Sequence, residues 1–254
     1  MTFQPVPLAW TFDPAIIIGL LAAAAGFLYY RRRHADDRGR GALFWSGLLA
    51  FAVALVSPLD SAADRYLLSA HMFQHILLTM VGPPLLLAGL PVGLGARLPR
   101  FLLNPWLTVV VFNVVLIGWH FPALYDATLH NELLHILEHV MFVATAFLFW
   151  WPIVGPARQG VMSPLMKIGY LAFAGVPPTV IGMIMALAPS PLYEFYSLAP
   201  RLIGEVSAEF DQQVAGILMF GLGNLIYFVP ISVIFLRLAD EPEEPATLTD
   251  GVVR

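Results

Sequence analysis

"PAIIIGLLAAAAGFLYYRRR", residues 14–33, is an apolar run of membrane-crossing length that ends on three arginines. About 20 apolar residues wound as a helix cross roughly 30 Å of hydrocarbon, and the arginines anchor the far end among headgroups. Residues 1–13 carry no positive charge. Residues 14–30 therefore read as a first transmembrane span with Arg31-Arg32-Arg33 as its stop-transfer flank, not as a cleavable signal peptide.

The rest of the chain repeats that pattern. Of its 254 residues 59% are hydrophobic and 12% charged, whereas a soluble domain has nearer half apolar and about a quarter charged. Further spans are expected at 42–58, 66–90, 105–121, 132–153, 164–187 and 212–238. The sum is an all-α polytopic protein, a bundle of seven transmembrane helices in one membrane domain over residues 1–254. Turn chemistry marks several ends, as at Ser57-Pro58, Pro122 and Pro189-Ser190-Pro191. Gly175-Val176-Pro177-Pro178 falls inside the sixth span and should kink it.

Lysine and arginine distribution sets the orientation. With the N-terminus outside, Arg31, Arg32, Arg33, Arg38, Arg40, Arg97, Arg100, Arg158, Lys167, Arg237 and Arg254 all fall inside. Only Arg65 and Arg201 fall outside. The expectation is N-out and C-in, in a bacterial plasma membrane with the lipid bilayer as its surroundings. Residues 239–254 form an acidic cytoplasmic tail expected to be disordered. The longest outer loop, 188–211, mixes aromatics with single charges and could cap the mouth of the bundle. No basic stripe suggests nucleic acid, and no cysteine is present to supply a thiolate or a disulfide.

Against this background the histidines stand out. His34 lies in the arginine loop and reads as solvated. His71 and His75, His120, His130, and His135 with His139 all fall toward the outer side once the topology is applied. Both pairs are H-x-x-x-H, and residues four apart share a helix face with Cβ atoms about 5–6 Å apart. Spans three and five both descend from outside, so the pairs should face one another at matched depth and offer up to four nitrogens. His120 would be an additional ligand. Single histidines in membrane helices often serve packing; six at one end favour a metal or cofactor site, since ionisable groups in spans are costly and usually functional.

Other polar residues collect at the same end. Glu132 and Glu138 flank His135, Asp60 and Asp64 precede span three, and Asp211, Gln212 and Gln213 open span seven. Glu138, Asp60, Asp211 and Met72 are candidates to orient ligands or pass an ion onward. Together they suggest a polar cup open to the outside. Imidazole suits zinc, copper, iron and nickel, and thioether adds a preference for Cu(I). Copper and zinc both fit, and spacing does not separate them. A His-ligated zinc hydrolase, with Glu138 or Asp211 as base, is the enzyme alternative. A b-type haem held between His75 and His139 is a further one. A transport route is disfavoured, because the inner halves of the spans lack matching polar groups.

Three stretches carry a resemblance: "LVSPLDSAADRYLLSAHMFQHILLTMVGPPLLLAGLP" at 55–91, "GWHFPALYDATLHNELLHILEHVMFVATAFLFWWPIVGP" at 118–156, and "FDQQVAGILMFGLG" at 210–223. They resemble the multi-span cytochrome c oxidase assembly proteins called CtaG, distinct from the single-span copper chaperone of the same name. Matching positions are His71, Gln74 and His75; Trp119, His120 and Pro122; His135, Glu138 and His139; and Asp211, Gln212 and Gln213. The resemblance implies a non-enzymatic role in maturing a haem–copper oxidase, as a chaperone that handles copper. The implied partners are the oxidase's catalytic subunit and an extracytoplasmic copper carrier.

Overall fold

The computed structural model describes residues 7–33, 40–91, 99–156 and 162–240. His34, four of the arginines in the orientation count and the tail beyond Asp240 lie outside the described residues. Every regular element among the described residues is helical.

Prolines and glycines decide where the apolar runs break. Helix α1, Pro14–Arg33, is a single rod that packs lightly, with Phe27 stacked on Phe44 at 3.9 Å. Helix α2, Gly41–Val56, ends at Ser57-Pro58, and the short α3, Pro58–Arg65, leaves at 49°. The third run is α4, Leu68–Ile76, then a π-helical turn, Leu77–Val81, then α5, Gly82–Gly89. Pro83 has no N–H to return to the carbonyl four residues back, at Thr79. Trp150 Nε1 donates to that carbonyl at 2.9 Å instead, which satisfies the gap in the ladder.

Helix α6, Pro105–Trp119, turns by 74° into α7, Pro122–His130. The long α8, Glu132–Val154, follows directly, capped by the Asn131 side chain. The expected kink in the sixth run is a break at Gly175 between α9, Pro164–Ala174, and α10, Val176–Leu187. A one-turn helix, α11, Glu194–Leu198, lies in the 188–211 loop. The last run is α12, Ala208–Ile217, a second π turn, Leu218–Leu222, and α13, Gly223–Ala239.

Five of these rods are long and apolar enough to cross a membrane, and up to seven if each bent pair counts as one span. The difference lies in α2 and α6. At 16 and 15 residues and about 1.5 Å per residue, each falls short of roughly 30 Å of hydrocarbon.

Helices α10 and α12 cross with their backbones in contact. A Cβ at Gly182 would sit 2.8 Å from the Gly216 carbonyl oxygen, so only glycine fits there. The main core joins α4 to α10, α12 and α13, and contains Met72, Phe112, Phe142, Phe149 and Trp150. A smaller cluster of Phe27, Phe44, Phe51 and Leu86 fastens α1, α2 and α5 together.

A histidine cluster between helices α4 and α8

Helices α4 and α8 both begin at the end of the bundle covered by α7 and α11, and their four-residue spacings run in register. The His71 and His135 ring centroids are 5.6 Å apart, and those of His75 and His139 are 5.3 Å apart. His71, His135 and His139 each bring a ring nitrogen within 4.8 Å of the other two. His71, His75 and Glu138 form a second, overlapping set by the same measure. Three ligands at about 2 Å around one ion stand roughly 3.3–3.5 Å from one another, so a contraction of up to about 1.5 Å brings either set to bonding distance.

The hydrogen bonds fix which nitrogens are free. Tyr196, from α11, lies 2.7 Å from the Ala63 carbonyl, which can only accept, so the phenol donates there. Its oxygen must then accept from His71 Nδ1–H at 2.7 Å. That leaves His71 Nε2 bare. His75 Nε2, 2.9 Å away, donates to it, which leaves His75 Nδ1 bare and without a partner. The Nε2 atoms of His135 and His139 are likewise buried and unpartnered. So are both oxygens of fully buried Glu138, one of them 4.0 Å from His75 Nε2. Buried polar groups are nearly always paired, and the five unpaired histidine and glutamate atoms here belong to groups that could hold a metal ion.

What holds α4 in register is Asp211. Its carboxylate accepts from Leu68 N at 2.7 Å, Ser69 N at 3.2 Å and the Ser69 hydroxyl, capping the first turn. Asp211 thus positions the histidine helix and does not touch the ring nitrogens. Asp60 is also engaged elsewhere, accepting from Gln74 Nε2 at 2.9 Å, while the same amide reaches the Ala54 carbonyl. Asp64 approaches the cluster instead, at 3.7 Å from His135 Nε2. Glu132 is exposed, leaving Glu138 as the carboxylate of α8 that joins the cluster.

The remaining candidates separate by position. His120 donates through Nδ1 to the Leu116 carbonyl at 2.7 Å, and its Nε2 is buried without a partner. It belongs to neither ligand set and lines, with Met72 and His75, a cavity below the cluster. His130 sits exposed at the rim against Phe195. Packing around the rings is close, with His75 4.8 Å from Phe142 and 4.4 Å from His71. That leaves no macrocycle-sized gap between α4 and α8 and counts against axial haem ligation by His75 and His139.

The expected open cup is covered. His71 is 0% exposed under Tyr125 of α7 and Tyr196 of α11, with the Tyr193 ring tilted against Tyr125 at 4.2 Å. Asp126 accepts from Glu194 N and Phe195 N at 3.1 Å, tying α11 to α7. Tyr193 donates to the His120 carbonyl. Burial holds the Tyr193 and Tyr196 phenols above their usual range, so both stay neutral donors. These tyrosines are partners that histidine spacing did not reveal; the aromatic character of the 188–211 loop was the available signal. Beside the lid, a side cavity of about 680 Å³ is lined by Asp64, His130 and Glu194.

Comparison with known proteins bears on this arrangement. The family described as cytochrome c oxidase caa3 assembly factor (Caa3_CtaG) matches residues 23–241. A protein of Mycobacterium bovis, Uncharacterized protein Mb0105, is 24% identical, the match covering 98% of this chain and 42% of that protein. Uncharacterized protein ML1998 of Mycobacterium leprae is 26% identical over 95% of this chain and 41% of its own length. The chain thus spans about two-fifths of the length of these relatives. No solved structure matches.

Proposed function

The chain belongs to the cytochrome c oxidase caa3 assembly factor family, and from that premise we propose that it is a copper-handling chaperone for a haem–copper oxidase. Its site is the histidine cluster, and it acts as a seven-span bacterial plasma-membrane protein with the N-terminus outside. The cluster would take copper from an extracytoplasmic carrier and release it to the oxidase's catalytic subunit. One observation carries the reading: three imidazoles from two parallel helices converge within 4.8 Å, with buried unpartnered nitrogens and no thiolate. Nitrogen-rich sites without cysteine suit copper and zinc, and a task in maturing a haem–copper oxidase supports copper.

The test is metal content. Protein purified through a tag free of histidine should retain copper, and His135→Ala/His139→Ala should lose the nitrogen-bound ion and fail to support oxidase maturation while still inserting. Unchanged copper in the double variant would remove the site.

The enzyme reading has its own support in Glu138, a buried carboxylate with no partner beside three imidazoles. That is the donor set of a zinc-activated water. Stoichiometric zinc with hydrolytic turnover lost in Glu138→Gln would favour it over copper carriage.

A further inference from the structure

Below the cluster, between α4, α6, α8 and the last run, lies a cavity of about 50 Å³. A single water needs roughly 10–15 Å³ by that measure, so the cavity has space for an ion. Its lining includes three methionines, Met72, Met80 and Met219, together with His75, His120 and Tyr227. The two histidines each carry one bare, buried nitrogen, Nδ1 of His75 and Nε2 of His120, and the buried Tyr227 hydroxyl has no partner either.

Methionine in a membrane core is commonly packing, and the structure argues against that default here. A buried polar atom left unpaired is costly, and the three residues that carry one here all line this one cavity. Backbone irregularity converges on the same level. Met80 sits in the π turn of Leu77–Val81, Met219 in the π turn of Leu218–Leu222, and Pro178 lines the cavity just past the Gly175 break. Such π turns concentrate at functional sites. Each of these distortions sets a cavity-lining residue into its wall.

We propose that this cavity is a second position for a soft monovalent ion, Cu(I), held by the thioethers of Met72, Met80 and Met219 with His75 and His120. The proposal rests on the copper reading of the histidine cluster above it. His75 belongs to both positions. A neutral imidazole offers one lone pair, so His75 serves the upper or the lower ion, and His71, His135 and His139 complete the upper set without it. The upper position is nitrogen-based and the lower one sulfur-rich. The ion changes ligands between them with no change of oxidation state.

The experiment is anaerobic Cu(I) titration of the full chain in detergent against a chromophoric Cu(I) chelator, with X-ray absorption on the loaded protein. The wild type should bind two Cu(I) per chain with both nitrogen and sulfur in the coordination shell. Met72→Leu/Met80→Leu/Met219→Leu conserves volume, and should bind one ion with no sulfur. His135→Ala/His139→Ala should also bind one ion and keep the sulfur signal. A wild type holding one ion with nitrogen ligands alone, unaffected by the leucine variant, overturns the second position and leaves the cluster intact. Two ions and an unaltered spectrum in the leucine variant overturn it equally. Failure of the wild type to bind any Cu(I) overturns the copper reading of the cluster and this proposal with it. The sulfur signal of the wild type needs no variant, so a poorly folding triple variant does not shield the proposal.

Discussion

Replacing Tyr196 by phenylalanine removes one oxygen and leaves the ring in place. That oxygen has two tasks. It donates to the Ala63 carbonyl at 2.7 Å and accepts from His71 Nδ1–H at 2.7 Å. Without it a carbonyl and an imidazole N–H are left unpaired in a fully buried place, at about 1–3 kcal/mol each. The His71 ring also loses the bond that keeps its proton on Nδ1 and its Nε2 bare for an ion. Partners that orient a ligating histidine are worth about 10–100-fold in metal affinity, or about 1.4–2.7 kcal/mol. Competition titration of Tyr196→Phe with Cu(I), and separately with zinc, should show a loss in that range. Size-exclusion profile and helical content should stay at wild-type values. Affinity within twofold of wild type for both ions would refute the assignment of His71 as a ligand oriented through its Nδ1.

Asp211→Ala removes the cap of α4, and unfolding in a denaturing-detergent titration should show a loss of about 1–2 kcal/mol, with weakened metal binding because the histidine helix loses its register. Trp150→Phe leaves the Thr79 carbonyl without the N–H that replaces the one Pro83 lacks; a loss of about 1–3 kcal/mol should appear in the same titration. In Gly216→Ala the new Cβ meets the Gly182 carbonyl and the Ala186 backbone, and overpacking of about 1–3 kcal/mol should lower the midpoint of thermal unfolding. Stripping metal with a chelator should lower that midpoint in wild type, by the linkage of a ligand that binds only the folded state, and should leave His135→Ala/His139→Ala less affected.

The membrane class was legible because it rests on summed hydropathy, which is local. So was the meeting of α4 and α8, because two four-residue spacings on parallel rods fix both face and depth. The polar residues were harder to place. Asp60 and Asp64 lie four apart on α3 and look equivalent in sequence. The 49° bend at Ser57-Pro58 then sends Asp60 to Gln74 and brings Asp64 to His135. Asp211 lies 143 and 142 residues from the Leu68 and Ser69 groups it caps, and no periodicity links positions so distant. The π turns were hidden for a related reason. Pro83 announces a defect in the ladder, but its repair by Trp150 depends on how α8 packs against the third run. Tyr196 belongs to a short helix in a loop, where neither a helical nor an alternating pattern assigns a face.

The covered cluster constrains how an ion would reach it. His71 has no exposed surface, and the tyrosines above it are tied down by Asp126 and by the Ala63 and His120 carbonyls. Entry from directly above therefore requires α11 to lift, breaking several buried hydrogen bonds at once. Entry from the side requires less. Asp64 lines the 680 Å³ cavity and stands 3.7 Å from His135 Nε2, so an ion can meet a carboxylate before any imidazole while the lid stays closed. The two routes respond differently to one substitution. Asp64→Asn should slow metal uptake in stopped-flow loading by the side route and leave equilibrium affinity within a few-fold, because Asp64 belongs to neither ligand set. Uptake at the wild-type rate in Asp64→Asn, with acceleration in Asp126→Ala where α11 is untied, would place the entrance under the lid instead.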